Sequence, residues 1–151
     1  MSRHAAALVD HLGFWLRTVS NHVSHGFAAR LARHDVTVAE WVVMRSLYDA
    51  APTAPSALAA SIGMTRGAIT KLADRLIAKK LAVRAADRSD RRAQTLALTP
   101  RGRELVPTLA ALADRNDAEF FAPLSAAERK TMRRLLERLV EHGGIGALPI
   151  D

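Results

Sequence analysis

The side chains in this sequence with the clearest capacity for chemistry are basic, and they are concentrated in one quarter of the chain. Residues 65–103 contain 11 Lys and Arg against 3 Asp and Glu, a net charge of +8, whereas the other residues contain 11 against 12, a net charge of −1. Positive charge gathered in this way is the electrostatic footprint of a surface that meets phosphate groups. The alternative, which the charge count does not exclude, is a basic face that is only solvated and binds no partner.

Other kinds of chemistry are excluded by residues that the 151-residue sequence lacks. It contains no cysteine, so disulfides, thiolate zinc sites and thiol-based oxidant sensing are impossible within the chain. A Gly-rich phosphate loop, a nucleophilic serine elbow and a paired acidic motif with metal spacing are missing as well. We therefore expect no enzyme activity and no cofactor.

The hydropathy pattern predicts no membrane segment. The longest apolar runs fall far short of the roughly 20 residues of a membrane span. Asp10 and His11 interrupt the stretch in which a signal peptide would be apolar. The sequence therefore predicts a cytoplasmic protein that does not contact a membrane.

The elements that carry the basic residues follow the order of a helix-turn-helix with a hairpin behind it. Pro55 suits the first turn of a short helix that Gly63 ends, and Thr65 is the expected N-cap of a second helix with one apolar side. The stretches LAVRAA and AQTLALT then read as two short strands joined by the charged loop DRSDRR. This order predicts a winged helix. The strand positions expected to face inward are Val83, Leu96 and Leu98.

Long amphipathic helices are predicted at both ends of the chain. Apolar residues recur every three or four positions over residues 8–31, and further apolar stripes run over residues 100–121 and 126–139. A single small domain could not bury all of these stripes alone.

Two Ser/Thr-x-x-Glu patterns predict helix starts. Thr37 with Glu40 and Ser125 with Glu128 have the spacing of capping boxes. In such a box each side chain accepts a hydrogen bond from the backbone N–H of the other residue.

Two segments of the sequence resemble the MarR (multiple-antibiotic-resistance regulator) family of bacterial transcription factors. They are the second helix of the helix-turn-helix, GMTRGAITKLADRL, and the wing with the start of the next helix, DRSDRRAQTLALTPRG. The resemblance implies a mainly α fold with a small β-hairpin wing. Residues 35–99 would form a winged helix-turn-helix domain, and residues 1–34 and 100–151 the N- and C-terminal dimerisation helices. The residues that match the wing pattern are Asp87, Asp90, Arg91, Arg92, Leu98, Thr99 and Gly102.

The resemblance also implies a function. Such a homodimer would bind double-stranded DNA at a pseudo-palindromic operator, with its two recognition helices in major grooves roughly 34 Å apart. Most often it would be a repressor that a small ligand releases from DNA. The alternatives are a winged helix that associates with an acidic protein and a metal-responsive regulator.

The expected DNA contacts come from the start of the first helix of the helix-turn-helix, the exposed side of the second helix, and the wing. Arg66 could read a base or contact a phosphate, and Ser56 could donate to a phosphate or cap its helix. The resemblance places a wing arginine in the minor groove; we expect Arg91 there, and the other arginine paired with Asp87 or Asp90. The full set is Ser56, Thr65, Arg66, Thr70, Lys71, Arg75, Arg88, Arg91 and Arg92.

Two positions depart from the family pattern. Lys80 stands where the family commonly has the glycine that ends the recognition helix in a left-handed conformation, which leaves the direction of the wing open. Arg88 replaces a common proline after the first wing aspartate. It would strengthen phosphate binding or only alter the loop.

The ligand expected from the resemblance is a small aromatic carboxylate, bound in a cleft between the dimer helices and the winged domain. Such a ligand needs a cation and flat apolar walls. The alternative is that the tryptophans belong to the core and the histidines face solvent. The candidate residues are Trp15, Arg17, His22, His25, Trp41 and Arg45.

The histidines of the first helix allow one further reading. His11, His22 and His25 could hold a metal together with a carboxylate such as Glu40 or Asp49. No thiolate and no His-x-x-x-His pattern reinforces such a site. We therefore assign no metal ligand from the sequence.

Overall fold

A computed structural model describes residues 5–90 and 92–144 of the chain. Within them, a 3-10 turn at Leu8–Asp10 precedes a mainly helical fold with a two-stranded antiparallel hairpin, which is the predicted fold class. The elements are α1 (Leu12–Ala32), α2 (Val38–Tyr48), α3 (Pro55–Ile62), α4 (Arg66–Ala78), β1 (Ala82–Ala86), β2 (Gln94–Leu98), α5 (Pro100–Phe120) and α6 (Ala126–Gly143).

The first helix begins later than the apolar pattern predicts. The Asp10 carboxylate accepts a hydrogen bond from the Ala7 backbone N–H at 2.9 Å and holds residues 8–10 in the 3-10 turn. His11 is extended, and the α-helix starts at Leu12. The prediction of one helix from Leu8 was wrong because a local side-chain bond to the backbone competes with the helix.

The helix-turn-helix forms from local signals. Pro55 occupies the first turn of α3, and Gly63 ends that helix with a φ of 80°, a left-handed conformation that glycine adopts without steric cost. The Thr65 hydroxyl then caps α4 by accepting from the Ala68 N–H at 3.1 Å. All three predicted signals are confirmed.

One of the two predicted capping boxes is complete. Ser125 and Glu128 exchange both hydrogen bonds at the start of α6. At α2 only half of the box forms, since Thr37 accepts from the Glu40 N–H while the Glu40 side chain turns inward to Lys79. The second half of that prediction was wrong because a buried carboxylate gains more from a cation than from a solvent-exposed N–H.

The hairpin shows which strand residues face the core. Leu98 pairs with Ala82, and Leu96 pairs with Arg84; Leu96 and Leu98 are buried as predicted, but Val83 is 46% exposed. The prediction for Val83 was wrong because side chains alternate along a strand. Ala82 faces the core, so its neighbour must point outward.

The segment between α2 and α3 contributes a short second pairing to the sheet, which no sequence pattern predicted. The backbone of Thr53 exchanges two hydrogen bonds with Leu96, at 2.9 and 2.8 Å. The base of the wing is thereby tied to the segment that leads into α3.

The apolar core lies between α2, α3, α4, the hairpin and the N-terminal half of α5. Leu31 is the buried residue that α1 supplies, and among its described residues α6 buries none. Large apolar side chains therefore remain exposed at both ends of the chain. They include Leu12, Trp15, Leu16, Val19, Met132, Leu135, Leu136, Leu139 and Val140.

Candidate nucleic-acid interface

The exposed side of α4 carries the polar residues that were expected to contact DNA. Ile69, Leu72 and Leu76 face the core, and the helical period turns the intervening positions toward solvent. The Thr70 hydroxyl donates to the Arg66 carbonyl oxygen at 3.0 Å. Its own lone pairs point outward and can accept a hydrogen bond. The exposed residues of this face are Thr65, Arg66, Thr70, Lys71 and Arg75.

Ser56 lies at the start of α3, but it does not cap that helix. The N-cap position is Ala54, Pro55 follows it, and Ser56 is the second residue of the helix. Ser56 is exposed, so its hydroxyl can donate to an external acceptor. The alternative that Ser56 is an ordinary cap was wrong.

The wing loop is shaped by its two aspartates acting on the backbone. Asp87 accepts from the Ser89 N–H at 2.9 Å and from the Ser89 hydroxyl at 2.8 Å, and these two bonds hold the pKa of Asp87 below its ordinary value of 3.8. Asp90 accepts from the Arg92 backbone N–H at 3.0 Å. The expected pairing of Arg92 with one of these aspartates was wrong. Within the described residues, neither aspartate forms an ion pair with an arginine side chain.

Arg88 and Arg92 are exposed in the wing. The aspartates leave both side chains available while they order the loop that carries them. Arg91, which was expected to enter the minor groove, lies outside the described residues.

The ion pairs of the described residues involve few of the basic side chains. Arg30, Arg45, Lys79 and Arg84 are paired with carboxylates, whereas the five cations of the α4 face and the wing are not among the pairs found in residues 5–90 and 92–144. Arg84 on β1 binds Asp74 on α4 at 2.7 Å. Asp74, the one acidic residue of α4, is thus paired with a cation. Among the described residues, the cations without such a partner include Arg66, Lys71, Arg75, Arg88 and Arg92.

The residues expected to bind a ligand do not form one cluster in a single chain. The Trp15 indole donates to the Val9 carbonyl oxygen at 2.9 Å, near the start of α1. Trp41 packs edge-to-face on Phe27, with ring centroids 6.2 Å apart. Because Phe27 follows Trp15 by roughly 18 Å along the helix axis, the two tryptophans cannot line the same wall within one protomer.

The other ligand candidates are exposed. Arg17, His22 and His25 lie on the surface of α1. On α2, Arg45 binds Asp49 at 2.6 Å, and its guanidinium lies 5.8 Å from the centroid of the Tyr48 ring. Trp41 therefore lies where the C-terminal half of α1 meets α2, whereas Trp15 lies near the start of α1.

The carboxylates considered as metal ligands are occupied by cations. Glu40 binds Lys79 and Asp49 binds Arg45. In the described part of the chain, no three His, Asp or Glu side chains lie close enough to hold a metal ion together.

A groove of about 650 Å³ separates the C-terminal half of α5 from α6. Phe121, Met132, Leu136 and Val140 form its apolar lining. This lining is continuous with the exposed stripe of α6. Charged residues of both signs complete the groove: the basic residues Arg129 and Arg133, and the acidic residues Asp117, Glu137 and Glu141.

The chain leaves helix α4, the candidate recognition helix, at Lys80, where the sequence left the direction of the wing open. Lys80 has a φ of 62°, so it adopts the left-handed conformation despite its side chain. The Lys80 N–H donates to the Ile77 carbonyl oxygen at 2.9 Å, and the Leu81 N–H donates to that of Leu76 at 2.8 Å, the hydrogen bonds of a Schellman motif. The wing thus leaves α4 along the path that a glycine at this position would allow.

The residues that follow the wing contact the same segment, at the end of α4. Thr99 caps α5 by accepting from the Gly102 N–H at 3.1 Å, and its hydroxyl donates to the Lys80 carbonyl oxygen at 2.7 Å. The pattern Thr-x-x-Gly was the signal in the sequence that could have predicted this joint.

Comparison with known proteins places the same segment in a family. A sequence profile of the MarR family matches residues 34–93. A putative transcriptional regulatory protein for the hcr operon of Thauera aromatica is 31% identical over 134 residues, which cover 88% of this chain and 81% of the relative.

Several solved structures share the fold, among them the following two. Bordetella bronchiseptica BpsR, studied for the regulation of its DNA binding by 6-hydroxynicotinic acid, is 25% identical with a TM-score of 0.79; the match covers 90% of this chain and 97% of BpsR. A mutant of MarR from E. coli in complex with operator DNA is 26% identical with a TM-score of 0.78, and the match covers 85% of this chain and 93% of MarR. Among the described residues, no helix combines the length and the apolar composition that a membrane span requires.

Proposed function

The chain belongs to the MarR family of DNA-binding transcriptional regulators, and we propose that it represses transcription as a homodimer on a pseudo-palindromic operator until a small ligand releases it. Members of this family regulate transcription and are not enzymes. A chromosomal target would place the protein in the cytoplasm.

The observation that carries the DNA-binding proposal is the group of unpaired cations that the described residues present on α4 and the wing. Arg66, Lys71 and Arg75 share the exposed face of one helix, and Arg88 and Arg92 extend from the hairpin beside it. Nucleic-acid binding needs such cations, because phosphate contacts supply most of the affinity. Within this set we propose that Arg66 and Thr70 reach base edges. The proposed contacts to the DNA backbone or minor groove are Ser56, Thr65, Lys71, Arg75, Arg88, Arg91 and Arg92.

The exposed apolar stripes support the proposed dimer. Leu12 is 82% exposed and Leu139 is 57% exposed, and large apolar patches on a protein surface mark interaction sites. A second copy would cover them if residues 1–34 and 100–151 interleave as dimerisation regions. The mixed charges beside the groove between α5 and α6 would suit a two-fold contact, in which like surfaces meet with opposite charges opposed.

An aromatic acid is the ligand class that we propose for regulation. The regulation of BpsR by 6-hydroxynicotinic acid supports it, and so do the cationic and aromatic side chains where α1 meets α2. Trp15 and Arg17 would join them only from the partner subunit, since both lie far along α1 from Phe27, on which Trp41 packs. The ligand would act by favouring a dimer whose two recognition helices are wrongly spaced for DNA. The proposed lining within one protomer is His22, His25, Trp41 and Arg45.

Fluorescence anisotropy tests the function directly. A duplex from immediately upstream of the protein's own gene is compared with a scrambled duplex over a salt series, and aromatic carboxylates are then added. We expect tight binding to the upstream duplex, reversal by one acid, and a salt dependence that reflects several phosphate contacts. Equal, weak binding to both duplexes would contradict an operator there and direct the search to a protein partner.

The dimer has its own test in sedimentation equilibrium. Leu136→Glu places a charge in the groove between α5 and α6, and we expect it to shift the protein to monomer. Lys130→Glu, at an exposed residue of α6 outside the groove, is the matched control and should remain a dimer. A dimeric Leu136→Glu variant would contradict this interface.

A further inference from the structure

A buried ion pair joins the C-terminal end of α4 to the corner between α1 and α2. Glu40 is 1% exposed, and its carboxylate lies 2.8 Å from the Lys79 ammonium group. The same ammonium group donates to the Asp35 backbone carbonyl oxygen at 2.6 Å. Lys79 therefore contacts α2 and the segment before it from the residue that ends α4.

We propose that Lys79 and Glu40 are positioning residues for DNA binding: their ion pair holds the C-terminal end of α4 against the α1–α2 corner and so determines where the N-terminal turn of α4 meets DNA. This inference rests on the proposed function, in which α4 is the recognition helix. Lys79 lies roughly 20 Å from Arg66 along the helix axis. Neither Lys79 nor its partner Glu40 can therefore touch the bases that Arg66 reaches.

The burial of Glu40 is the reason why the pair restricts the helix. A carboxylate removed from water is costly unless a cation and hydrogen bonds compensate it. Any tilt of α4 that withdraws the Lys79 ammonium group leaves that charge unpaired. The pair is thus short-range and sensitive to geometry, unlike the exposed pair between Arg84 and Asp74.

The same end of α4 is also held by Thr99, the residue that caps α5. The Lys80 carbonyl oxygen accepts from the Thr99 hydroxyl, and the Leu81 carbonyl oxygen accepts from the Thr99 N–H at 3.1 Å. Backbone contacts to α5 and a side-chain contact to the α1–α2 corner together make this end the pivot of the helix. A tilt of roughly 5° about the pivot moves the other end of a helix of this length by roughly 1.5 Å.

A dimer makes the position of α4 more important than it would be in a monomer. Two recognition helices must enter successive grooves at a fixed separation. A small tilt of α4 in each subunit displaces both helices, so the two displacements add in the distance between them. Loss of the pair should therefore weaken binding to an operator with two half-sites more than binding to random DNA, which needs no fixed separation.

The test compares Lys79→Met with the wild type on the upstream duplex, on versions of it lengthened or shortened by one central base pair, and on the scrambled duplex. We expect about tenfold weaker operator binding, a change of less than about threefold on scrambled DNA, and a flatter dependence on spacing. Lys79→Arg keeps the cation and should restore binding. Equal losses on both duplexes, or operator binding like that of the wild type, would overturn the proposal.

Lys80→Met is the matched control, because it removes the same charge from the next residue, whose side chain is exposed. It should keep the operator preference and the spacing dependence. If it loses as much as Lys79→Met, net charge is the cause and the positioning role is refuted. If Lys79→Met does not fold, Glu40→Met/Lys79→Met replaces it, since apolar replacement of a buried pair often preserves stability; it should show the same flat spacing dependence, and a wild-type dependence would overturn the proposal.

Hydrogen exchange of the free wild-type and Lys79→Met proteins separates this inference from the proposed function. We expect faster exchange in segments 33–40 and 77–84 of the variant, with α3 unchanged. Unchanged exchange at both segments would overturn the inference even if the wild type binds its operator. Faster exchange there in a protein that lacks operator preference would contradict the proposed function and leave the joint supported.

Discussion

The backbone carbonyl oxygen of Leu81 lies so close to Gly102 that a Cβ on Gly102 would overlap it, well inside van der Waals contact. Leu81 begins the chain's path from α4 into the wing, and Gly102 lies in the first turn of α5, where the chain returns from it. Thr99 bonds both Lys80 and Leu81 from the same turn. The start of α5 therefore rests directly on the backbone at the end of α4, and only a residue without a side chain fits there.

Gly102→Ala should destabilise the protein by about 2–3 kcal/mol, in the upper range of overpacking substitutions. The new Cβ would meet backbone atoms, so no flexible side chain can move aside. Urea unfolding at fixed protein concentration measures the loss. A decrease below about 0.5 kcal/mol would contradict the close approach.

Gly67→Ala is the matched control for that substitution. Gly67 lies in α4, and an added Cβ would meet no atom within 4 Å. Replacing a glycine inside a helix by alanine should raise stability by about 0.5–1 kcal/mol. Opposite signs for the two substitutions are therefore expected.

Lys80→Gly should stabilise the protein. Lys80 has a φ of 62°, and the left-handed conformation costs a residue with a side chain about 1–2 kcal/mol. The greater freedom of glycine in the unfolded chain offsets part of this, so we expect a gain of up to about 1 kcal/mol in thermal or urea unfolding. Lys80→Ala, which keeps the strain, should show no such gain; equal stabilities of the two variants would argue against strain at this position.

The start of α6 should respond to acid. The Ser125 backbone N–H, and then the Ser125 hydroxyl, hold the pKa of Glu128 below its ordinary value of 4.5. Since the folded pKa is lowered, the stabilisation is fully present above the ordinary pKa of 4.5 and is lost as the pH falls through the folded pKa. An NMR titration of the Glu128 carboxyl should give a midpoint below 4.5, and Glu128→Gln should remove this contribution to the pH dependence of α6. A midpoint at or above the ordinary value would contradict the capping box.

Arg66→Ala separates base reading from phosphate contact. If Arg66 reads a base, its loss should cost roughly 1–3 kcal/mol of operator binding and relax selectivity at one base pair. Arg75→Ala, further along the same face, should weaken operator and scrambled duplexes alike and reduce the salt slope. Anisotropy with single-base operator variants measures both, and equal losses on both duplexes for Arg66→Ala would refute its base-reading role.

The order of elements was predictable because its signals are local. Pro55, Gly63 and Thr65 each act through their own backbone or that of residues within one helical turn. The basic segment could be recognised from charge counts for the same reason, since surface cations need no specific neighbour. The wing was recognisable from its sequence pattern.

Predictions failed where a residue had a choice of partners. Glu40 has a local partner in the Thr37 N–H and a distant one in Lys79, and the distant one prevails because the carboxylate is buried. Val83 and Ala85 form the more apolar face of β1, yet the buried residue is Ala82, on the face that also carries Arg84, so the alternation alone did not show which face is inward. The pairing of Thr53 with Leu96 joins residues 43 positions apart, and no local sequence pattern predicts it.

The amino-acid sequence was therefore enough to establish the helix-turn-helix, the basic wing and the concentration of positive charge, because propensity, capping and charge act over a few residues. Folding alone brings Lys79 to Glu40, Thr99 to Lys80 and Gly102 to Leu81, since those contacts join segments that are distant along the chain. Which cations pair with a carboxylate is also a tertiary property: Arg84 on β1 pairs with Asp74 on α4, whereas Arg66 faces solvent. Burial and chain approach, which depend on the whole fold, decide those contacts.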